Sequence, residues 1–279
     1  MEKNETQKAG AIGVFDSGYG GLTVLSEIKS LMPDYDFIYL GDNARTPYGN
    51  RSFERVYEFT LEAIKWFFKH GCRLVVIACN TASAKALRSI QQIDLPKTDI
   101  NNRVLGVIRP TAEYVSKVTH SGHIGILGTE GTIQSKSYDI EINKLHPKMI
   151  ITGEACPMWV PLVENREYDK PGADYFIKKN IDNILLKDPL IDTIILGCTH
   201  YPLLMEKINN FLPKGVTAIS QGKLVAESLK DYLKRHPEMD ILCTKNSTIN
   251  YFTTDSPLKF EQQASIFLKE DIVAKNADL

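Results

Sequence analysis

The sequence predicts an α/β protein built as two similar doubly wound parallel-sheet domains, related by a pseudo-two-fold, with an active site in the cleft between them. Three observations carry this expectation. Apolar runs of strand length alternate with amphipathic stretches of helix length along most of the chain, the pattern of helices covering both faces of parallel sheets. Two pairs of segments resemble each other across the halves of the chain. The length, 279 residues, suits two domains of about 100–150 residues each.

The first unit is IGVFDSGYGGLTVLSEIKSLM (12–32). An apolar strand turns through Gly18, Gly20 and Gly21, and Leu22, Leu25, Ile28 and Leu31 then recur at helical spacing. Further strands are expected at DFIYLGD (36–42), RLVVIACN (73–80), RVLGVI (103–108), HIGILGT (123–129), KMIITGEAC (148–156), DTIILGCT (192–199) and VTAIS (216–220). Between the first and second of these, SFERVYEFTLEAIKWFFKHG (52–71) predicts a helix that ends on a C-cap glycine, Gly71.

The internal likeness pairs IGVFDSG (12–18) with IGILGTEG (124–131), and VVIACNTAS (75–83) with IILGCTHYP (194–202). The offsets are close, 112 residues from Ile12 to Ile124 and 119 from Cys79 to Cys198. Each half then has a strand ending near Ser or Thr, followed later by a strand ending on Cys. The link falls near Val107–Pro110 and the chain returns near Ser220. The expected domains are residues 11–107 plus 221–279, and residues 108–220.

A hydrophobic fraction of 43% and a charged fraction of 24% are those of a globular protein. No apolar run approaches the roughly 18 residues of a membrane span. The formal charge is −1 and the basic residues are dispersed, which argues against a nucleic acid or an anionic membrane as partner. A small molecule fits better. The polar N-terminus, MEKNETQKAG, lacks the apolar core of a secretory signal, so the protein is expected to stay in the cytoplasm. The five cysteines, at 72, 79, 156, 198 and 243, are odd in number and form no C-x-x-C pair, so they suggest neither a disulfide framework nor a structural zinc site.

Ligands of open α/β sheets sit beyond the carboxyl ends of the strands. Four such points stand out: Asp16-Ser17-Gly18, Cys79-Asn80-Thr81, the stretch from Thr129 to Thr132, and Cys198-Thr199-His200. Each cysteine ends a strand ahead of an expected helix, with Asn80 and Thr81 as N-cap types in one case and Pro202 in the first turn in the other. A helix N-terminus favours negative charge, so both thiols are expected to ionise below their free value of about 8.5. Cys72, Cys156 and Cys243 lack these surroundings and read as small core residues.

A nucleophilic hydrolase needs one thiol, one histidine and an orienting third group, and leaves a second thiol idle. Inverting a stereocentre by proton transfer needs an acid on one face and a base on the other. Two matched thiols fit the second chemistry. Asp16 is a candidate to tune Cys79, and His200 to tune Cys198. Ser17, Asn80, Thr81 and Thr199 offer donors of the kind that hold carboxylates, though the same types also serve as plain caps. Pro47-Tyr48-Gly49 reads as a turn at the cleft edge. No metal-ligand cluster or nucleotide fingerprint appears, so no cofactor is expected.

At this point DSGYGGLTV (16–24), GDNARTPYG (41–49), ACNTAS (78–83), LGTEGT (127–132), PLVE (161–164) and LGCTHYPLL (196–204) together resemble the glutamate racemase family, in order over about residues 11–230. The resemblance implies the aspartate/glutamate racemase fold, a reaction without pyridoxal phosphate or metal, and supply of D-glutamate for peptidoglycan. It makes Cys79 and Cys198 the proton donor and acceptor between L- and D-glutamate. Asp16, Ser17, Tyr48, Gly49, Asn80, Thr81, Thr199 and His200 become substrate contacts; Asp42, Glu164, Thr129 and Thr132 are supporting residues. A homodimer is the one protein assembly it brings into view.

Aspartate racemases resemble the same plan but show His where Ser83 stands and Glu where His200 stands, which favours glutamate. One departure is clear. Where many glutamate racemases read Ile-Asp-Ser-Gly, this chain has Ile219-Ser220-Gln221-Gly222. Residues 235–279 show no motif. Of the other classes, a non-catalytic dicarboxylate-binding protein has no use for paired thiols, and a cysteine hydrolase requires only one.

Overall fold

The computed structural model describes residues 8–98 and 101–279. The first seven residues, most of the polar stretch read above as lacking a secretory signal, lie outside the described residues. The strands run β1 (Ile12–Asp16), β2 (Phe37–Gly41), β3 (Leu74–Ile77), β4 (Arg103–Gly106), β5 (His123–Gly128), β6 (Ile150–Ala155), β7 (Thr193–Gly197), β8 (Thr217–Ile219), β9 (Ile249–Thr253) and β10 (Ala274–Asn276). They form two sheets, one ordered β10-β9-β2-β1-β3-β4 and the other β6-β5-β7-β8. Every strand pairing in both is parallel.

The likeness seen in sequence recurs in the register. Gly13 lies opposite Val75 in the first sheet, and Gly125 lies opposite Ile194 in the second. Those pairs carry the same offsets, 112 and 119, as the sequence repeat. The order β2-β1-β3-β4 thus has its counterpart in β6-β5-β7-β8. Since a slip of one residue would turn each side chain to the opposite face, the shared register carries Cys79 and Cys198 to corresponding strand ends.

Both sheets are buried on both faces. In the first, Val14, Tyr39 and Val76 pack under the helices Leu22–Leu31 and Gly222–Arg235, while Phe15, Leu40, Val75 and Ile77 pack under the helix Phe53–Lys69. In the second, Leu127, Ile194 and Leu196 meet the helix Pro171–Lys187, and Ile124, Ile126 and Ile195 meet the helices Ile108–Tyr114 and Ser137–Leu145. Continuous apolar strands follow from double coverage. The helix expected over 52–71 starts at Phe53, capped by the Ser52 hydroxyl on Arg55 N, and ends at Lys69. His70 is its cap, and Gly71, at φ 86°, makes the left-handed turn beyond it.

The chain crosses from the first sheet to the second after Gly106 and returns after Ile219. The crossings lie side by side, joined by a hydrogen bond from Gln221 Nε2 to the Val107 carbonyl at 3.4 Å. Residues 235–279, which carried no motif, contribute β9, β10 and the helix Pro257–Leu268. β9 extends the first sheet along β2, with Tyr251 opposite Tyr39. Among the described residues no helix is long and apolar enough to cross a membrane.

Candidate active site

The two cysteines approach each other from different sheets. Cys79 follows β3 and Cys198 follows β7, and both line one cavity of about 200 Å³ with Ser17, Tyr48, Thr81 and His200. The helix after the first cysteine starts at Asn80, so the cap falls on Cys79 and not on Asn80 or Thr81 as the residue types suggested. The chain leaves β3 in an extended conformation at Cys79, which aims the sulfur back at Ala82 N, 3.4 Å away. On the other side His200 precedes a short helical turn, Tyr201–Leu204, with Pro202 in its first positions as expected.

Cys79 is 6% exposed, and burial, reinforced by the negative charge of Asp16, pushes its thiol up to about 12. The lowering expected from its helix start does not prevail. A turn of helix supplies one amide to the sulfur, whereas burial withdraws solvent from the whole thiolate. The tuning role expected of Asp16 also changes form. The side chain touching the Cys79 sulfur is Ser17, whose Oγ lies 3.4 Å away. Asp16 is fully buried, accepts from Gly18 N at 2.9 Å and accepts from Thr199 Oγ1 at 3.4 Å. Burial raises its carboxyl, against the opposing pull of His200.

Cys198 meets the opposite charge. Its sulfur is 3.9 Å from His200 Nδ1, and His200 Nε2 is 3.0 Å from Glu164 Oε1. Burial alone would lower this imidazole; hydrogen bonds with Cys198 and Glu164 overcome it and raise the group to about 10. Phe267 sets its ring edge-on to His200 at 5.6 Å, and Gln263 donates to the Glu164 carbonyl at 3.3 Å. The unread C-terminal segment therefore backs the site. The loop after β1 fits against this corner only because residue 20 is glycine. A Cβ there would lie 2.3 Å from Thr199 Oγ1 and 2.4 Å from His200 Nδ1.

The remaining expected residues divide into wall and support. Ser17, Tyr48, Gly49, Asn80, Thr81, Thr129, Glu164 and Thr199 line the cavity. Asp42 lies behind it, fully buried, and accepts from the Tyr48 hydroxyl, from Arg45 Nε at 2.7 Å and from Thr254 Oγ1 at 2.8 Å. Thr132 also stands back, 3.3 Å from Thr81 Oγ1, while Thr81 and Thr129 pair at 2.9 Å across the two halves. Gly131 N donates to Gly49 O at 2.7 Å and closes the seam beside them. Asn80 Oδ1 accepts from Tyr138 at 2.7 Å, and among the described residues its Nδ2 has no partner.

Sequence reasoning missed an apolar wall made by Pro157, Val160, Pro161 and Cys156, the last read as plain core. The PLVE match (161–164) held the clue for Pro161 alone. Among the described residues no group of three or more His, Cys, Asp or Glu is arranged to hold a metal.

The family model for Asp/Glu/Hydantoin racemase matches residues 21–229. The chain belongs to the Asp/Glu/Hydantoin racemase family. Within it, the chain stands among the glutamate racemases. It is 41% identical over 261 residues to the glutamate racemase of Enterococcus faecalis, covering 92% of each. The crystal structure of a glutamate racemase isoform from Bacillus anthracis is 38% identical with a TM-score of 0.88, covering 98% of each chain. The Francisella tularensis glutamate racemase, solved in complex with D-glutamate, is 29% identical with a TM-score of 0.85, again over 98% of each chain.

Proposed function

We propose that the chain interconverts L- and D-glutamate without a cofactor, by proton transfer between Cys79, Cys198 and the α-carbon. The observation that supports this reading is the pair of buried sulfurs, from corresponding strand ends, in one cavity. Cys79, pushed up to about 12, holds its proton at neutral pH and is the resting acid. Cys198 lies beside the imidazolium of His200 and acts as the base toward L-glutamate.

When Cys198 removes the α-proton from one face, Cys79 delivers its own to the other, and the negative charge passes from one sulfur to the other. D-glutamate runs the sequence backwards. The pairing of Cys198 with the L enantiomer follows the family resemblance. Ser17, Tyr48, Gly49, Asn80, Thr81 and Thr199 hold the substrate's charged groups, Asp16 and His200 set the charge around the thiols, and Asp42, Glu164, Thr129 and Thr132 support them.

The wider reading is D-glutamate supply for peptidoglycan in the cytoplasm, by a chain whose domains are 11–107 plus 221–279 and 108–220 and whose partner, if any, is a second copy of itself. Racemisation in heavy water tests the chemistry. Early D-glutamate formed from L-glutamate carries deuterium at the α-carbon while residual L-glutamate stays protiated, and the labels reverse from the other enantiomer. Label entering both enantiomers together at early times rules out two separate acids.

A thiol hydrolase is favoured by one observation, the chain Cys198–His200–Glu164 at 3.9 and 3.0 Å. It resembles a nucleophile, base and orienting acid. That reading leaves Cys79 dispensable, so activity retained after Cys79→Ser would select it.

A further inference from the structure

Gln221 occupies the position where the sequence leaves the Ile-Asp-Ser-Gly pattern, on the segment by which the chain crosses back to the first sheet. It is buried, 4% exposed, and its side-chain nitrogen reaches three oxygens: the Val107 carbonyl at 3.4 Å, Thr111 Oγ1 at 3.1 Å, and the Tyr138 hydroxyl. A carbonyl only accepts, so the nitrogen end of the amide must face Val107. Thr111 donates its own proton to the same carbonyl at 3.2 Å, which leaves its oxygen free to accept from Gln221. Tyr138 accepts the other hydrogen of the Gln221 amide, the first being shared between the Val107 carbonyl and Thr111, and its own proton goes to Asn80 Oδ1 at 2.7 Å.

The consequence reaches the cavity. With Oδ1 committed to Tyr138, the Asn80 amide must present Nδ2 on its other side, where the nitrogen has no partner among the described residues although Asn80 is 2% exposed and lines the cavity. A buried donor left unpaired is destabilising, so an acceptor belonging to a ligand is the expected complement. We infer that Gln221 and Tyr138 are positioning residues that fix the orientation of the Asn80 amide, so that its NH2 meets a carboxylate of the substrate. The relay starts at a backbone carbonyl on the first crossing, passes through the return crossing and the second half, and ends on the first half. It thus ties the junction between the halves to the anchoring of substrate. The inference rests on the proposed racemisation of glutamate.

Steady-state kinetics with both enantiomers test it, using Tyr138→Phe, Gln221→Met and the double variant. Wild-type turnover of glutamate checks the underlying reading separately. Each single variant is expected to raise KM about tenfold for both enantiomers, the size of one hydrogen bond to a charged group, with kcat changed by less than about threefold. Because both changes break one relay, the double variant should match the worse single variant instead of multiplying the two. Gln221→Glu, whose carboxylate accepts the Tyr138 hydrogen bond and so strips Asn80 Oδ1 of its donor, should raise KM at least as far. An unchanged KM, a loss confined to kcat, or multiplicative increases in the double variant would overturn the relay. If thermal melting shows that Gln221→Met does not fold, the KM of Tyr138→Phe decides alone.

Discussion

Cys79 and Cys198 end corresponding strands, yet their electrostatic surroundings are opposite. At the offset that aligns β1 with β5, Asp16 corresponds to Gly128, so the second half has no carboxylate at that point. At the offset that aligns β3 with β7, His200 corresponds to Thr81, so the first half has no imidazole. One sulfur sits above a buried acid and keeps its proton; the other sits beside an imidazolium. The repeated fold supplies two thiol positions, and single substitutions between the halves supply the proton inventory. Two thiols with identical surroundings would start each turnover with two acids or two bases.

The largest expected effect breaks the comparison at its shared element. Cys79→Ser and Cys198→Ser should each lower racemisation by about 10²–10⁴-fold, the range of a lost general acid or base, because every turnover uses both sulfurs. A single variant with near wild-type rate would return its cysteine to the core. His200→Asn sharpens the difference between the halves. The equilibrium constant between enantiomers is one, so kcat/KM must fall equally in both directions, by about tenfold or more. The asymmetry appears in primary isotope effects. With α-deuterated L-glutamate the effect should rise, because transfer to Cys198 becomes limiting, while with α-deuterated D-glutamate it should fall. Equal changes for both enantiomers would mean that His200 does not belong to one thiol.

The parts of this site that sequence made legible are those in which neighbouring residues carry the information. Apolar runs ending in Asp16-Ser17 or Cys198-Thr199 announce strand ends, and the repeated cysteine announces the pair. What stayed hidden depends on long-range packing. Nothing near Gln221 or Tyr138 signals that the two meet across 83 residues of sequence, or that Tyr138 reaches Asn80, 58 residues away. Phe267 gives no sign that its ring abuts His200, and β9 is a five-residue strand that becomes intelligible only beside β2. The cap at Cys79 was missed by one residue because caps are chosen by where the backbone turns, and side-chain preference is a weaker determinant. The ionisation of Cys79 was misjudged for a related reason: a helix start can be read from sequence, whereas depth of burial cannot.

The smallest expected effect is on stability, and it separates the halves by pH. His200 is held at about 10 in the folded chain and near 6.5 in the unfolded chain. Between those values the folded chain keeps a proton that the unfolded chain has lost. Its contribution is therefore complete below about pH 6.5 and declines as pH rises toward about 10. The Cys79 thiol, at about 12 when folded and near 8.5 when unfolded, begins to contribute only above about pH 8.5, also as a decline with rising pH. Cys72 and Cys243, also pushed to about 12 by burial, act in that same upper range. The interval from pH 6.5 to 8 therefore reports on His200 without the thiols. Melting temperature should fall across it in the wild type and fall less in His200→Asn. Above pH 8.5 the decline should persist in His200→Asn and become shallower in Cys79→Ala. If wild type and His200→Asn run parallel from pH 6.5 to 8, the imidazole is not held protonated by Cys198 and Glu164, and the contrast in the charges surrounding the two thiols disappears with it.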